Sequence, residues 1–171
     1  LRTKILSYTR FGNDTAADNY TAMAGNAFFD ALDNLSLKEN RYAIGGFYSL
    51  ERDNTWKIGA TPDGRKAGEP FSENQSPSYG ADKRGVTALL KSLAKLPFYR
   101  TATGGLNLTF SANVIPEILK SLVLTYFELG GFHVGISVVN RETLKDAMIH
   151  PEKYKSLTVR LYGFSEYFVS L

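Results

Sequence analysis

An α/β fold is predicted for this chain of 171 residues. Three observations predict it. Strand and helix patterns alternate through the second half, the helical patterns carry wide apolar stripes, and the strand patterns are short and bounded by glycine or proline. The length is about that of one domain and can bury a core without staples. Apolar residues make up 43% and charged residues 22%, values that exclude intrinsic disorder. No window approaches the roughly 18 uninterrupted apolar residues of a membrane span. Basic residues outnumber acidic ones by 20 to 17, a net charge of +3. They are scattered, and a nucleic-acid footprint needs clustering on one face. The chain has no cysteine, which removes disulfides, thiolate zinc sites and thiol catalysis from within it. It begins at Leu1 without a methionine or signal peptide, ends on an apolar run, and is expected to be a piece of something longer.

Asp14 and Thr15 supply N-cap chemistry for a first helix, with Asp18 in the capping-box position. Ala17, Tyr20, Ala24, Phe28, Ala31 and Leu35 then recur at helical spacing and predict its buried face. Asn34 and Asn40 bracket its exit. Tyr42 to Leu50, interrupted by Gly45-Gly46, reads as a short strand or an extended loop with a bend. Between Gly59 and Gly80, seven glycines and prolines fall in 22 residues. The whole stretch from Ile58 to Asp82 is therefore expected to be irregular but ordered. Gly85 opens a second helix with Val86, Leu89, Leu90, Leu93 and Leu96 on one side, stopped by Pro97. Gly104 to Phe110 alternates as a strand. Pro116 starts a third helix with Ile118, Leu119, Leu122, Val123, Tyr126 and Leu129 inward, capped by Gly130 or Gly131. Phe132 to Val139 is a second strand, with His133, Gly135 and Ser137 on one face and Val134, Ile136 and Val138 toward a helix layer. Asn140 caps a fourth helix through Met148, and Leu157 to Leu161 is a third strand.

The two histidines, His133 and His150, lie on different elements without carboxylates at ligand spacing, so no metal site is expected. The segment Gly80 to Gly85 precedes a helix but carries no nucleotide-binding glycine pattern. Gly163, in Arg160-Leu161-Tyr162-Gly163-Phe164-Ser165, has two readings. It is a turn glycine, or it stores a backbone radical. An α-carbon radical is delocalised between an electron-donating amide nitrogen and an electron-withdrawing carbonyl, and a Cβ would oppose the planar centre this needs. Tyr162 and Phe164 could shield it. The local residues leave both readings open.

The hexapeptide Arg160 to Ser165 resembles the glycyl radical signature R-V-x-G-[FY]-[SAT] of the pyruvate formate-lyase-like enzymes. Other stretches resemble the same family in order along the chain. They are Gly59-Ala60-Thr61-Pro62-Asp63-Gly64-Arg65 through Pro70, Ser76-Pro77 with Gly80-Ala81-Asp82, Gly130-Gly131-Phe132-His133, and Asn140-Arg141-Glu142-Thr143-Leu144 with His150-Pro151-Glu152-Lys153-Tyr154.

The resemblance implies the C-terminal portion of the family's ten-stranded α/β barrel. Residues 1–57 would belong to the barrel domain and 58–171 to a glycine radical domain with its tail truncated. It implies that Gly163 stores the radical, with Arg160, Tyr162, Phe164 and Ser165 supporting the loop and His133 and Ser137 at the pocket or just behind it. No cofactor or metal would be bound by the chain. A separate activating enzyme, using S-adenosylmethionine and an iron–sulfur cluster, would install the radical. A cysteine outside the chain, on the N-terminal remainder, would act on a small-molecule substrate. A homodimer, the cytoplasm, anaerobic metabolism and oxygen sensitivity are implied as well, without nucleic-acid or membrane partners. Gly135 and Ser137 stand where the family often carries Gln and Asn, Gly85-Val86-Thr87 replaces G-P-T, and Tyr162 replaces a smaller residue. These departures point to the lyases and dehydratases rather than to pyruvate formate-lyase itself. The alternative is a stand-alone glycyl radical spare part that restores a damaged partner enzyme.

Overall fold

A computed structural model describes residues 1–39, 42–47, 57–161 and 164–170, with the backbone alone at 36, 37, 39, 160, 161 and 164–166. The elements in order are α1 (Arg2–Ser7), α2 (Ala17–Glu39), α3 (Val86–Leu93), β1 (Leu106–Phe110), α4 (Pro116–Glu128), β2 (Val134–Val138), α5 (Arg141–Ile149), β3 (Thr158–Leu161) and β4 (Phe164–Tyr167). Single 3-10 turns cover Phe98–Arg100, Pro151–Lys153 and Phe168–Ser170. No helix among the described residues is long and apolar enough to cross a membrane.

Strands β1 and β2 pair in parallel, from Leu106 opposite Val134 to Phe110 opposite Val138. Helix α4 links them, a βαβ unit as the alternation predicts. One face of this pair is apolar. Leu106 joins Leu89, Leu90, Leu93, Leu96, Phe98 and Tyr126 in the core, with Leu108, Leu122 and Val134 packed against it. The other face carries Asn107, Thr109, Gly135 and Ser137, because side chains alternate along a strand.

Several expectations need correction. The buried face of α2 is not the Tyr20–Phe28–Leu35 stripe. Tyr20 is 74% and Phe28 52% exposed, whereas Asp18 and Phe29 are buried. The helix turns Gly25 toward Leu96 and Pro97, and small residues allow that approach. On α4, Ile118 and Leu129 are exposed and only Tyr126 is fully buried. Helix α3 ends at Leu93, before the Pro97 stop, and Leu96 and Phe98 reach the core from the following turns. Val138 is exposed at the end of β2, so the helix layer covers only the start of that strand's apolar face. No strand forms over 42–47, where Gly45 makes one bridge to Thr101, and 48–50 lie outside the described residues. Helix α1 and strand β4 were not expected. The third strand is not hydrogen-bonded to β1 or β2 among the described residues. It pairs antiparallel with β4 instead.

The irregular stretch behaves as its breaker density predicts, with no helix or strand between Ile58 and Asp82. Asn13 bolts its end in place. Its amide donates to the Ala81 carbonyl at 2.6 Å, and its oxygen accepts from the backbone N–H groups of Lys83 (2.9 Å) and Arg84 (3.2 Å). Caps follow the sequence elsewhere. Asp18 accepts from Thr15 N–H at 2.8 Å, one half of a capping box. Asn140 accepts from Glu142 N–H at 2.8 Å, and Gly130 leaves α4 at φ +93°.

Candidate radical site and the face beside it

The described residues of the hexapeptide, on either side of Gly163, lie on two paired antiparallel strands, β3 and β4, here called the hairpin. Arg160 pairs with Ser165 and Leu161 with Phe164 across β3 and β4. Tyr162 and Gly163 are outside the described residues, as are the side chains of Arg160, Phe164 and Ser165. The base of the hairpin is fixed on both sides. The Phe168 N–H donates to the Leu157 carbonyl at 2.8 Å, and the Tyr154 hydroxyl donates to Asp146 on α5 at 2.6 Å.

His133 and Ser137 come together with this hairpin. They line one groove of about 480 Å³ with Gly135 on β2 and with Thr158 and Val159 of β3, the strand that leads toward Gly163. His133 sits immediately before β2, with its ring over Gly105, the residue just before β1. A Cβ on Gly105 would lie 2.6 Å from the His133 Nδ1, so glycine is required for the ring to rest there. The same closeness occurs at Gly135, where a Cβ would collide with the Asn107 side chain. The volume that Gly135 vacates is thus filled from the neighbouring strand. Asn107 in turn donates to the Glu73 carboxylate of the irregular stretch.

A buried pair holds the start of β2. Tyr126, 2% exposed, donates its hydroxyl to the His133 carbonyl at 3.0 Å and lies 3.3 Å from the Gln75 side-chain oxygen. Burial pushes the Tyr126 phenol up to about 12, against smaller lowering contacts from the backbone of His133 and Phe132. Gln75 also donates its backbone N–H to the Gly105 carbonyl at 3.4 Å, joining the irregular stretch to β1. These groups were not singled out from sequence. Tyr126 reads there as one member of an apolar stripe, and Gln75 as one polar residue in a loop.

The irregular stretch is built around Arg65. Its guanidinium donates to the carbonyls of Gly59 and Glu69, both at 2.5 Å, and of Lys66 at 3.1 Å, and it lies 4.1 Å over the Phe71 ring. The adjacent Asp63 carboxyl is held below its ordinary range by the Thr61 hydroxyl first, then by the Arg65 N–H and the Arg10 charge, against a raising effect of burial.

The family model described as Glycine radical matches residues 71–169, more than half of the chain and inclusive of the hairpin. The chain belongs to the glycyl radical family. It is 41% identical over 131 aligned residues to the PFL-like enzyme TdcE of Escherichia coli (strain K12), covering 67% of this chain and 17% of that protein. Among solved structures, the glycerol-bound B12-independent glycerol dehydratase of Clostridium butyricum superposes with a TM-score of 0.87 at 31% identity. That alignment covers 99% of this chain and 23% of the dehydratase. A Roseburia inulinivorans structure of 1,2-propanediol dehydration aligns with a TM-score of 0.86 at 32% identity, over 99% of this chain and 21% of that one. The fold is thus part of the α/β barrel of glycyl radical enzymes. This chain spans about a fifth of the length of these relatives.

Proposed function

We propose that this chain is the radical-bearing C-terminal part of a lyase or dehydratase, with Gly163 as the radical store. The observation that carries the reading is the glycyl radical hexapeptide, Arg160 to Ser165, on a hairpin whose first strand borders the groove of His133 and Ser137. In this reading an activating enzyme with S-adenosylmethionine and an iron–sulfur cluster removes one hydrogen atom from the Gly163 Cα. The glycyl radical takes a hydrogen atom from a cysteine thiol on the remainder of the protein, which restores the glycine. The resulting thiyl radical takes a hydrogen atom from the substrate. Arg160, Tyr162, Phe164 and Ser165 support the hairpin, and His133 and Ser137 serve the substrate side.

Dehydration of a small hydroxylated molecule is the favoured chemistry. Support comes from the solved relatives, among them a glycerol dehydratase, a protein of 1,2-propanediol dehydration and a hydroxyproline dehydratase. The polar face of β1 and β2 offers Asn107, Thr109 and Ser137 to hydroxyl groups, in keeping with such a substrate.

The test is anaerobic activation of the full-length protein followed by electron paramagnetic resonance. A doublet-type glycyl signal is expected, and Gly163→Ala should abolish it. Dioxygen adds to a carbon radical, and the peroxyl species cleaves the backbone. Aeration should therefore release a C-terminal peptide that begins near Phe164. Intact chains after verified activation would sink the reading, and a cut at another glycine would reassign the store. Aldehyde formed from glycerol or 1,2-propanediol by the activated protein tests the dehydration step.

A further inference from the structure

A cleft of about 970 Å³ opens between α1, residues 61–72 and residues 78–84, and it shares no lining residue with the β2–β3 groove. Its charged lining is five cations, Arg2, Arg10, Arg65, Lys83 and Arg84, against the carboxylates of Asp63 and Glu69. That excess equals the net charge of +3 of the whole chain, so the rest of the sequence is electrically balanced. The two carboxylates are already engaged. Arg10 lies 3.3 Å from Asp63, and Arg2 and Lys66 lie 3.8 and 3.9 Å from Glu69. Lys83 and Arg84 pair with no carboxylate among the described residues. Among the described residues the Arg84 guanidinium donates to the Asn13 carbonyl, at 3.1 Å, and to no side chain.

Arg65 is the second and independent observation. Its side chain is in the wall of the cleft, the residue is only 9% exposed, and its Nε–H has no acceptor among the described residues. Its other donors meet carbonyl oxygens, and no carboxylate pairs with it among the described residues. A guanidinium cannot shed its proton to relieve burial. A buried charge without a counter-ion is costly, and carbonyl dipoles compensate it only in part. An anion in the cleft supplies the missing charge. The hydroxyls of Ser72 and Ser78 also line it, which suits a tetrahedral group with several acceptor oxygens. The volume is that of a small-molecule site, at the upper end of the roughly 300–1,000 Å³ range.

We propose that this cleft binds a phosphate-bearing small molecule, with Lys83 and Arg84 contacting phosphoryl oxygens and Arg65 setting a positive potential from the wall. Asn13 holds the Lys83 and Arg84 backbones in advance, so binding orders little beyond two side chains.

Calorimetric titration of the full-length, non-activated protein tests this, with pyrophosphate and adenosine triphosphate as probes and citrate as a phosphate-free polyanion. Saturable binding of at least one phosphate probe in physiological salt is expected. It should weaken at least tenfold in the double variant Lys83→Gln/Arg84→Gln, whose exposed positions leave the circular dichroism unchanged. No saturable binding, equal binding by the variant, or citrate binding as tightly as both phosphate probes would each overturn the proposal. Because the protein is not activated, failure here leaves the radical reading at Gly163 standing, and failure of that reading leaves this one standing.

Discussion

Asp18 sits at a position with no exposed surface, and four donors converge on its carboxylate. They are Lys95 at 2.9 Å, Ser92 at 3.0 Å, and the backbone N–H groups of Thr15 and Gly12 at 2.8 and 3.1 Å. Burial alone would raise its pKa, but Lys95, the two N–H groups and Ser92 together hold it below 3.8. A depressed carboxyl stabilises the fold above its unfolded pKa and loses that contribution as pH falls through the folded one. Lys95→Met removes the half-buried cation beside the buried Asp18 carboxylate and should cost about 3 kcal/mol at neutral pH. The urea midpoint should drop accordingly, and the difference from the parent should shrink below pH 4 as Asp18 takes up a proton. A constant difference across that range would show that Asp18 is not the group involved. Tyr126 gives the opposite sign. Its folded pKa of about 12 lies above the unfolded value of 10.0, so the contribution is complete below pH 10 and is lost as pH rises toward 12. Ultraviolet titration should show a late-ionising component that is lost in Tyr126→Phe and retained in Tyr154→Phe.

At the scale of elements, two glycines at the strand entrances separate packing from positioning. A Cβ on Gly131 would enter the ring of Tyr126, which is buried and cannot yield. Gly131→Ala should therefore destabilise by about 2–3 kcal/mol, the cost of overpacking. Gly105→Ala meets the His133 ring, which is exposed and can rotate away. It should cost under about 1 kcal/mol, as movable surface groups do. Chemical denaturation of the two variants decides the order, and a reversed order would refute the packing account. Local patterns made much of this scale legible. Pro116, Gly130 and Asn140 mark helix ends through backbone chemistry that acts within a few residues, and the βαβ unit follows from period and length. The inward face of α2 was not legible. Both of its sides carry apolar residues, and the one that packs uses Asp18, Gly25 and Phe29, a buried charge and a close approach that periodicity does not score. Strand β4 was missed because its pairing, not its composition, makes it a strand. The radical hexapeptide was visible as contiguous sequence. The Tyr126–Gln75 contact was not, because it joins residues 51 apart.

Across the molecule, the described residues of α2, α4 and α5 leave large apolar side chains exposed. On α2, Tyr20, Met23, Phe28 and Leu35 are each more than half exposed, opposite the face that carries Phe29 into the chain. On α4, Ile118 and Leu124, and on α5, Met148 and Ile149, are likewise exposed. A helix that is apolar on two sides is stable in water only when both are covered. Contiguous exposed apolar patches on this scale drive association. Relatives four to six times as long as this chain share its fold, consistent with faces that further protein covers. Residues 1–171 expressed alone should therefore associate at micromolar concentration, as read by light scattering. Replacing Tyr20 and Phe28 by glutamate should reduce that association without unfolding the chain, since neither side chain belongs to its buried core. In the full-length protein the same pair of changes should instead lower the unfolding midpoint, because two charges would then be forced into a covered apolar face. A monodisperse parent chain, or a full-length protein indifferent to the two glutamates, would show that the outer face of α2 meets only water.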